Sequence, residues 1–254
     1  MDSSTSAHDA LARLFSKAYD SSSTAEVPPA LAPANADDAY AVQQRFLEIN
    51  KSRIGGWKVG SKSVDGPVQG AALPQRGILR PGAAVQRSNY PVLGLELEIA
   101  FCFDRDFMPR ASAIAEEEVM QSIGTMGASI EIVASRIAGW PKAPPLAQLA
   151  DLQNHGALIV GDFIDYRDDF PFQNPMAHLA FDGGAIFDGA GANPAGDPRR
   201  LLCWVVNHCS RRGIALPAGT VVTGGSYTGV YFAEKDGIVA GRIAGLPPIY
   251  FELR

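Results

Sequence analysis

The chain has 254 residues, 46% of them hydrophobic and 19% charged, with a net charge of −5. That length allows one large domain or two small ones around a substantial core, and the charge balance leaves no basic stripe for nucleic acid. No run approaches ~18 uninterrupted apolar residues, the opening MDSSTSAHDA has no basic stretch followed by an apolar one, and three cysteines (Cys102, Cys203, Cys209) lack CxxC spacing. A cytoplasmic protein with reduced, buried thiols and no membrane partner is expected.

Residues 7–19 space Leu11, Leu14, Phe15, Ala18 and Tyr19 along one helix face, with Ser6 and Asp9 as candidate caps. Residues 21–35, rich in Ser and Pro, read as loop. A second helix is expected from about Asp37 to Lys51, through Ala39, Val42, Phe46 and Ile49. Beyond it, short strand-like runs broken by Gly, Pro and Asp fall at 56–61, 94–103, 127–133, 156–161, 178–182, 220–223 and 238–243. Helical spacing returns only near 115–125 and 198–212. Strands outnumber helices without alternating with them, which disfavours a doubly wound sheet or a β/α barrel. The expected class is α+β: a helical region over 1–55 leading into a β-rich catalytic body over 56–254, in one continuous domain.

Within 94–103 the run LGLELEIAF places Leu95, Leu97, Ile99 and Phe101 on one strand face and Glu96 and Glu98 on the other. Strand rise sets the two acids roughly 7 Å apart. Their face continues with Ala100 and Cys102, so they are expected to be partly desolvated. Like charges so placed push a pKa up unless a cation intervenes, and hard divalent ions favour oxygen ligands. Glu131, between Ile130 and Ile132 in a second alternating run, offers a third carboxylate; Arg136 is an alternative partner for it. His155 and His178 show no paired spacing for zinc.

GWKVGS, LELEIAF, SIEIVASRI, GDP before a Trp-bearing helix, and VVTGGSYTG occur in the order and spacing of one group. The chain resembles the 2-keto-4-pentenoate hydratase and 4-oxalocrotonate decarboxylase group of the fumarylacetoacetate hydrolase superfamily, from Tyr40 to the final FEL. The resemblance implies a mixed β-sheet roll with a small helical amino-terminal part. It implies a Mg²⁺ or Mn²⁺ ion on Glu96, Glu98 and Glu131, with Lys58 of GWKVGS as the catalytic residue. Gly225 and Ser226 are implied substrate-binding residues, the Gly-Gly-Ser turn offering N–H groups and a hydroxyl, and Ser61 and Arg76 are further candidate substrate-binding residues. The substrate implied is a 2-oxo or 2-hydroxydienoic acid from aromatic catabolism.

Hydrolases of the superfamily carry an Asp as the later ligand and a His–Glu pair near a lid. This chain has Glu131 and no His between His8 and His155, which directs the expectation to a lyase: a divalent-metal-dependent hydratase. Alternatives are an oxalocrotonate-type decarboxylase, an acylpyruvate-type hydrolase, and a non-catalytic partner subunit. A homo-oligomer is expected, with a hetero-complex of pathway hydratase and decarboxylase as the variant.

Two departures stand out against the group. Pro74-Gln75-Arg76-Gly77 replaces a Pro-Asp-aromatic-Gly segment and removes a proton-transferring acid, while Asp65 lies near in sequence. ADLQNHG (150–156) replaces an ADNAS-like run, keeping Asp151 and introducing Asn154 and His155. His178, His208 and Trp140 read as structural, with Trp140 also a candidate pocket wall.

Overall fold

The computed structural model describes residues 3–254. Helix α1 (Ser3–Asp20) lies against α2 (Ala36–Ile49), with Leu11, Phe15 and Phe46 buried and Tyr19 edge-on to Phe46 at 5.9 Å. The Asn35 side chain caps α2 by accepting from the Asp38 N–H at 2.9 Å, a device worth about 1 kcal/mol. Ser6 and Asp9, expected as caps, lie inside α1 instead; Asp9 pairs with Arg13 and Arg45.

The body begins with β1 (Ile54–Gly60), β2 (Gln69–Pro74), two-residue β3 (Ile78–Leu79) and β4 (Ala84–Val85), and long β5 (Gly94–Phe103). A five-residue α3 (Glu116–Met120) precedes β6 (Ile123–Val133), α4 (Pro145–Ala150), β7 (His155–Asp165), β8 (Met176–Phe181) and β9 (Gly184–Ala190). Then follow α5 (Arg200–Arg211), β10 (Val221–Ser226), β11 (Tyr231–Phe232), β12 (Gly237–Ile243) and β13 (Ile249–Leu253).

Helical spacing near 115–125 carries only five residues of helix. The β-branched Ile123 and Thr125 around Gly124 are poor helix formers, and they open β6. Strands β2, β3, β4, β9, β11 and β13 and helix α4 add to the elements read from the sequence.

The strands form two curled sheets. The larger is mixed, in the order β2-β1-β10-β5-β6-β7-β3, with β11 joined to the start of β5. The smaller runs β4-β13-β12-β8-β9. Leu95, Leu97, Ile99 and Phe101 are completely buried, each contributing roughly 1.5–3 kcal/mol. Gly241 of β12 lies so close above Leu97 that a Cβ there would come within 2.7 Å of Leu97 Cδ1. The apolar face of β5 is therefore committed to the packing between sheets, and period-2 alternation sends Glu96 and Glu98 to the opposite face. No helix among the described residues is long and apolar enough to cross a membrane.

Candidate active site

Antiparallel register sets Glu131 of β6 directly opposite Glu96 of β5, with Glu98 one alternation further along. One carboxylate oxygen from each of the three lies within 4.8 Å of the others. Glu98 and Glu131 are buried and Glu96 is half-buried. From β10, the Thr223 hydroxyl donates to Glu98 Oε2 and the Gly225 N–H reaches the same oxygen at 3.3 Å.

Lys58 enters from β1, which lies beside β10 with Lys58 in register with Thr223. Its Nζ donates to Glu131 Oε1 at 2.6 Å and to the Gln153 carbonyl at 3.2 Å. Lys58, rather than Arg136, is thus the cation paired with Glu131. Arg136 is taken by buried Asp151, donating to its carboxylate and backbone carbonyl. His155 Nδ1 lies 2.8 Å from Glu131 Oε1, while Glu131 Oε2 is buried without a hydrogen-bond partner.

Three carboxylates against one ammonium leave two uncompensated negative charges when all are ionised. Burial, then the charge of Glu131, pushes Glu96 up to about 7. Burial, then the charges of Glu131 and Glu96, pushes Glu98 up to about 8. Burial works against ionisation of Glu131 too, but Lys58 and His155 outweigh it and hold that carboxyl below its ordinary value. Burial likewise opposes the charge on Lys58, and the three acids outweigh it, holding the ammonium above the ordinary lysine range. The cluster is short of positive charge. A divalent cation fits it: oxygen donors only, one of them a buried, orphaned carboxylate oxygen.

The acids form the floor of a cleft of about 270 Å³. Lys58, Ser61, Gly225 and Ser226 all line it, so the structure brings these sequence-selected residues together with the acids. The Gly225 N–H is already directed at Glu98, and the Ser226 hydroxyl donates to the Gly229 carbonyl at 3.1 Å. Arg76 is not brought there. It is exposed, its guanidinium lying over the Tyr19 ring at 4.3 Å and donating to Asn50, because Gln75–Gly77 form a short 3₁₀ turn facing the amino-terminal helices. Gln75 and Asp65 are exposed and do not line the cleft either.

Further wall residues escaped the sequence reading. Asn193 donates to the carbonyls of Gly224 and Gly225 at 2.9 and 3.0 Å, pinning the Gly-Gly-Ser turn. Gln148 fixes Asn154 by accepting from its amide at 3.1 Å. Neither lies in a motif or period that would mark it. His208 stacks on Trp204 at 4.6 Å and His178 lies beside Asp188, both away from the cleft; Trp140 meets Phe232 edge-on and does not line it.

No family model matches the chain. It is 29% identical over 216 residues to a 2-keto-4-pentenoate hydratase of Paraburkholderia xenovorans, covering 81% of this chain and 78% of the relative. It is 26% identical over 220 residues to a 4-oxalocrotonate decarboxylase of Pseudomonas putida, covering 82% of each. A solved 4-oxalocrotonate decarboxylase from Pseudomonas putida, complexed with magnesium and adipate, superposes with a TM-score of 0.84 at 20% identity, covering 97% of both chains. A fumarylacetoacetate hydrolase from Exiguobacterium antarcticum superposes at 0.57 and 14% identity, covering 80% of this chain and 76% of that one. In sequence the chain is thus similar to proteins named 2-keto-4-pentenoate hydratase and 4-oxalocrotonate decarboxylase, and it shares its fold with the solved 4-oxalocrotonate decarboxylase.

Proposed function

We propose that the chain is a divalent-metal-dependent hydro-lyase acting on a 2-hydroxy-2,4-dienoate or a closely related 2-oxo acid. The observation that carries this is the convergence of Glu96, Glu98 and Glu131 within 4.8 Å, with Lys58 beside them in one cleft. Glu96, Glu98 and Glu131 would hold Mg²⁺ or Mn²⁺, and the relatives named as hydratases support the reaction class. When bound, such an ion supplies Lewis acidity toward the C1 carboxylate and C2 oxygen of a 2-oxo acid.

The remaining work falls to the chain's own side chains. Lys58 has three N–H donors, of which Glu131 and Gln153 take two. The third is available to hold the substrate carboxylate or to deliver a proton to its carbon chain, and the acids that keep Lys58 charged make it a donor rather than a base. Ser61 and Ser226 line the same cleft; their hydroxyls donate to the carbonyls of Ser63 and Gly229 at 2.7 and 3.1 Å, so they would orient the substrate as acceptors or by exchanging those bonds. The smaller sheet covers the apolar face of the acid-bearing sheet, which keeps Lys58, Glu96, Glu98 and Glu131 on strands rather than loops.

Decarboxylation of a 2-oxo dioate is the second reading. It rests on Lys62, the one cationic side chain besides Lys58 lining the cleft among the described residues, which can meet a distal carboxylate. The exposed Tyr250, Ile238 and Met176 support self-association into a homo-oligomer. Incubating the purified chain and Mg²⁺ or Mn²⁺ with 2-hydroxypenta-2,4-dienoate and, separately, with oxalocrotonate tests the reading. Loss of dienoate absorbance without CO₂ supports hydration. CO₂ release from oxalocrotonate alone supports decarboxylation, and no turnover of either contradicts an enzyme acting by itself.

A further inference from the structure

His155 is buried beside the acid cluster and belongs to neither the acids nor the cleft lining. The chain goes to some length to bring it there. Leu152, Gln153 and Asn154 all have left-handed backbone angles, with φ of 50°, 51° and 59°, an uncommon and costly run for residues with side chains. The β6–β7 register then shifts: Ile132 pairs with Ala157, but Val133 pairs with His155, leaving Gly156 as an extra residue. Without that bulge Val133 would face Gly156, and His155 would point to the other side of the sheet. With it, His155 shares the face of Val133 and therefore of Glu131, two residues earlier.

Gly156 is needed at this point. A Cβ there would meet the Ile132 carbonyl at 2.8 Å, Tyr90 at 2.9 Å and Ala134 at 3.0 Å. The ring delivered by the bulge lies with Nδ1 2.8 Å from Glu131 Oε1. A carboxylate only accepts, so Nδ1 carries the hydrogen and donates. Oε1 now receives both Lys58 and His155, and Oε2 is left buried without a partner among the acids.

We infer that His155 is a positioning residue: its Nδ1–H fixes the Glu131 carboxylate so that Oε2 is the atom presented to a divalent cation. The inference rests on the metal-binding reading of Glu96, Glu98 and Glu131. It also accounts for the ADLQNHG departure, since the same segment supplies the left-handed run, the histidine and the bulge glycine.

Calorimetric titration with Mn²⁺, together with circular dichroism of each variant, tests it. His155→Leu removes the donor and is expected to weaken Mn²⁺ binding 10- to 100-fold, the usual effect of losing a group that orients a ligand. His155→Asn keeps a donor near the Nδ1 position and is expected to retain affinity within about threefold of wild type, a rescue that loss of packing alone would not give. Wild-type affinity in a folded His155→Leu overturns the inference, provided that Glu98→Gln loses Mn²⁺. Equal Mn²⁺ binding by wild type and Glu98→Gln instead overturns the metal reading beneath it. Should His155→Leu fail to fold, imidazole nitrogen shifts of the metal-free wild type decide: a proton on Nδ1 of His155 is expected, and a proton only on Nε2 contradicts the proposal.

Discussion

Glu96 and Glu131 stand directly opposite each other across the β5–β6 pair, two carboxylates in a position where like charges destabilise a sheet. The fold tolerates this because Lys58 and His155 satisfy one oxygen of Glu131 and because Glu96 and Glu98 protonate readily. A metal-free protein should therefore be held below its attainable stability. Saturating Mg²⁺ or Mn²⁺ at ~100 times Kd should add about 2.7 kcal/mol by mass action, read as a rise in Tm. An unchanged Tm at millimolar metal would contradict this.

Proton release on metal binding follows from the same pair. Burial and mutual repulsion raise Glu96 to about 7 and Glu98 to about 8 in the metal-free fold, so at pH 7 the site carries protons that a cation must displace. Their raised values stabilise the metal-free fold at low pH, and that contribution is lost as pH rises through 7 to 8. Metal affinity should accordingly rise from pH 6 to pH 8. Calorimetry at pH 7 in buffers of different ionisation enthalpy should give different apparent enthalpies; identical values would mean that no proton leaves.

The β5 strand and its acids were legible in the sequence because a period of two separates Leu95, Leu97 and Ile99 from Glu96 and Glu98. Glu131 was legible for the same reason, between two isoleucines. The pairing of Lys58 with Glu131 was not: the two are 73 residues apart and meet only because β10 and β5 stand between their strands. Arg76 looked like a cleft residue from its place beside Gln75, yet a short 3₁₀ turn sends it to Tyr19. The orientation of His155 depends on a bulge, and alternation alone assigns it to the wrong face. Strand β9, GAIFDGA, lies half-exposed at a sheet edge and carries two glycines, so it lacked an apolar period to find.

Lys58→Ala should lower kcat by roughly 10²–10⁴-fold, the span of a positioned acid or base, with Mn²⁺ affinity much less affected. Lys58→Met keeps the stem volume and should behave similarly, since charge rather than packing is lost. Steady-state kinetics on the dienoate distinguishes the outcomes, and wild-type kcat in either variant would remove Lys58 from the chemistry.

Gln75→Asp should leave hydration unchanged. Gln75 is exposed and outside the cleft, so an acid there has no route to the substrate. A gain of tenfold or more in kcat would show that this turn moves against the cleft during turnover.

His208 gives the fold an acid-side weakness. Burial, then the charges of Arg212 and Arg211, pushes its pKa down to about 4. The folded state thus resists a proton that the unfolded chain takes up near 6.5. Stability from this group is complete above 6.5 and is lost as pH falls toward 4, by up to about 3 kcal/mol. His208→Phe, which keeps a ring against Trp204, should flatten the fall in urea-unfolding free energy between pH 6.5 and 4.5; an unchanged slope would reject the assignment.

The most direct test of the acid cluster as a metal site is calorimetric titration of Mg²⁺ and Mn²⁺ into wild type and into the double variant Glu96→Gln, Glu98→Gln. Binding of one ion per chain to wild type and none measurable to a folded double variant is the predicted result. Equal affinity in the two proteins would contradict the assignment of Glu96 and Glu98 as ligands.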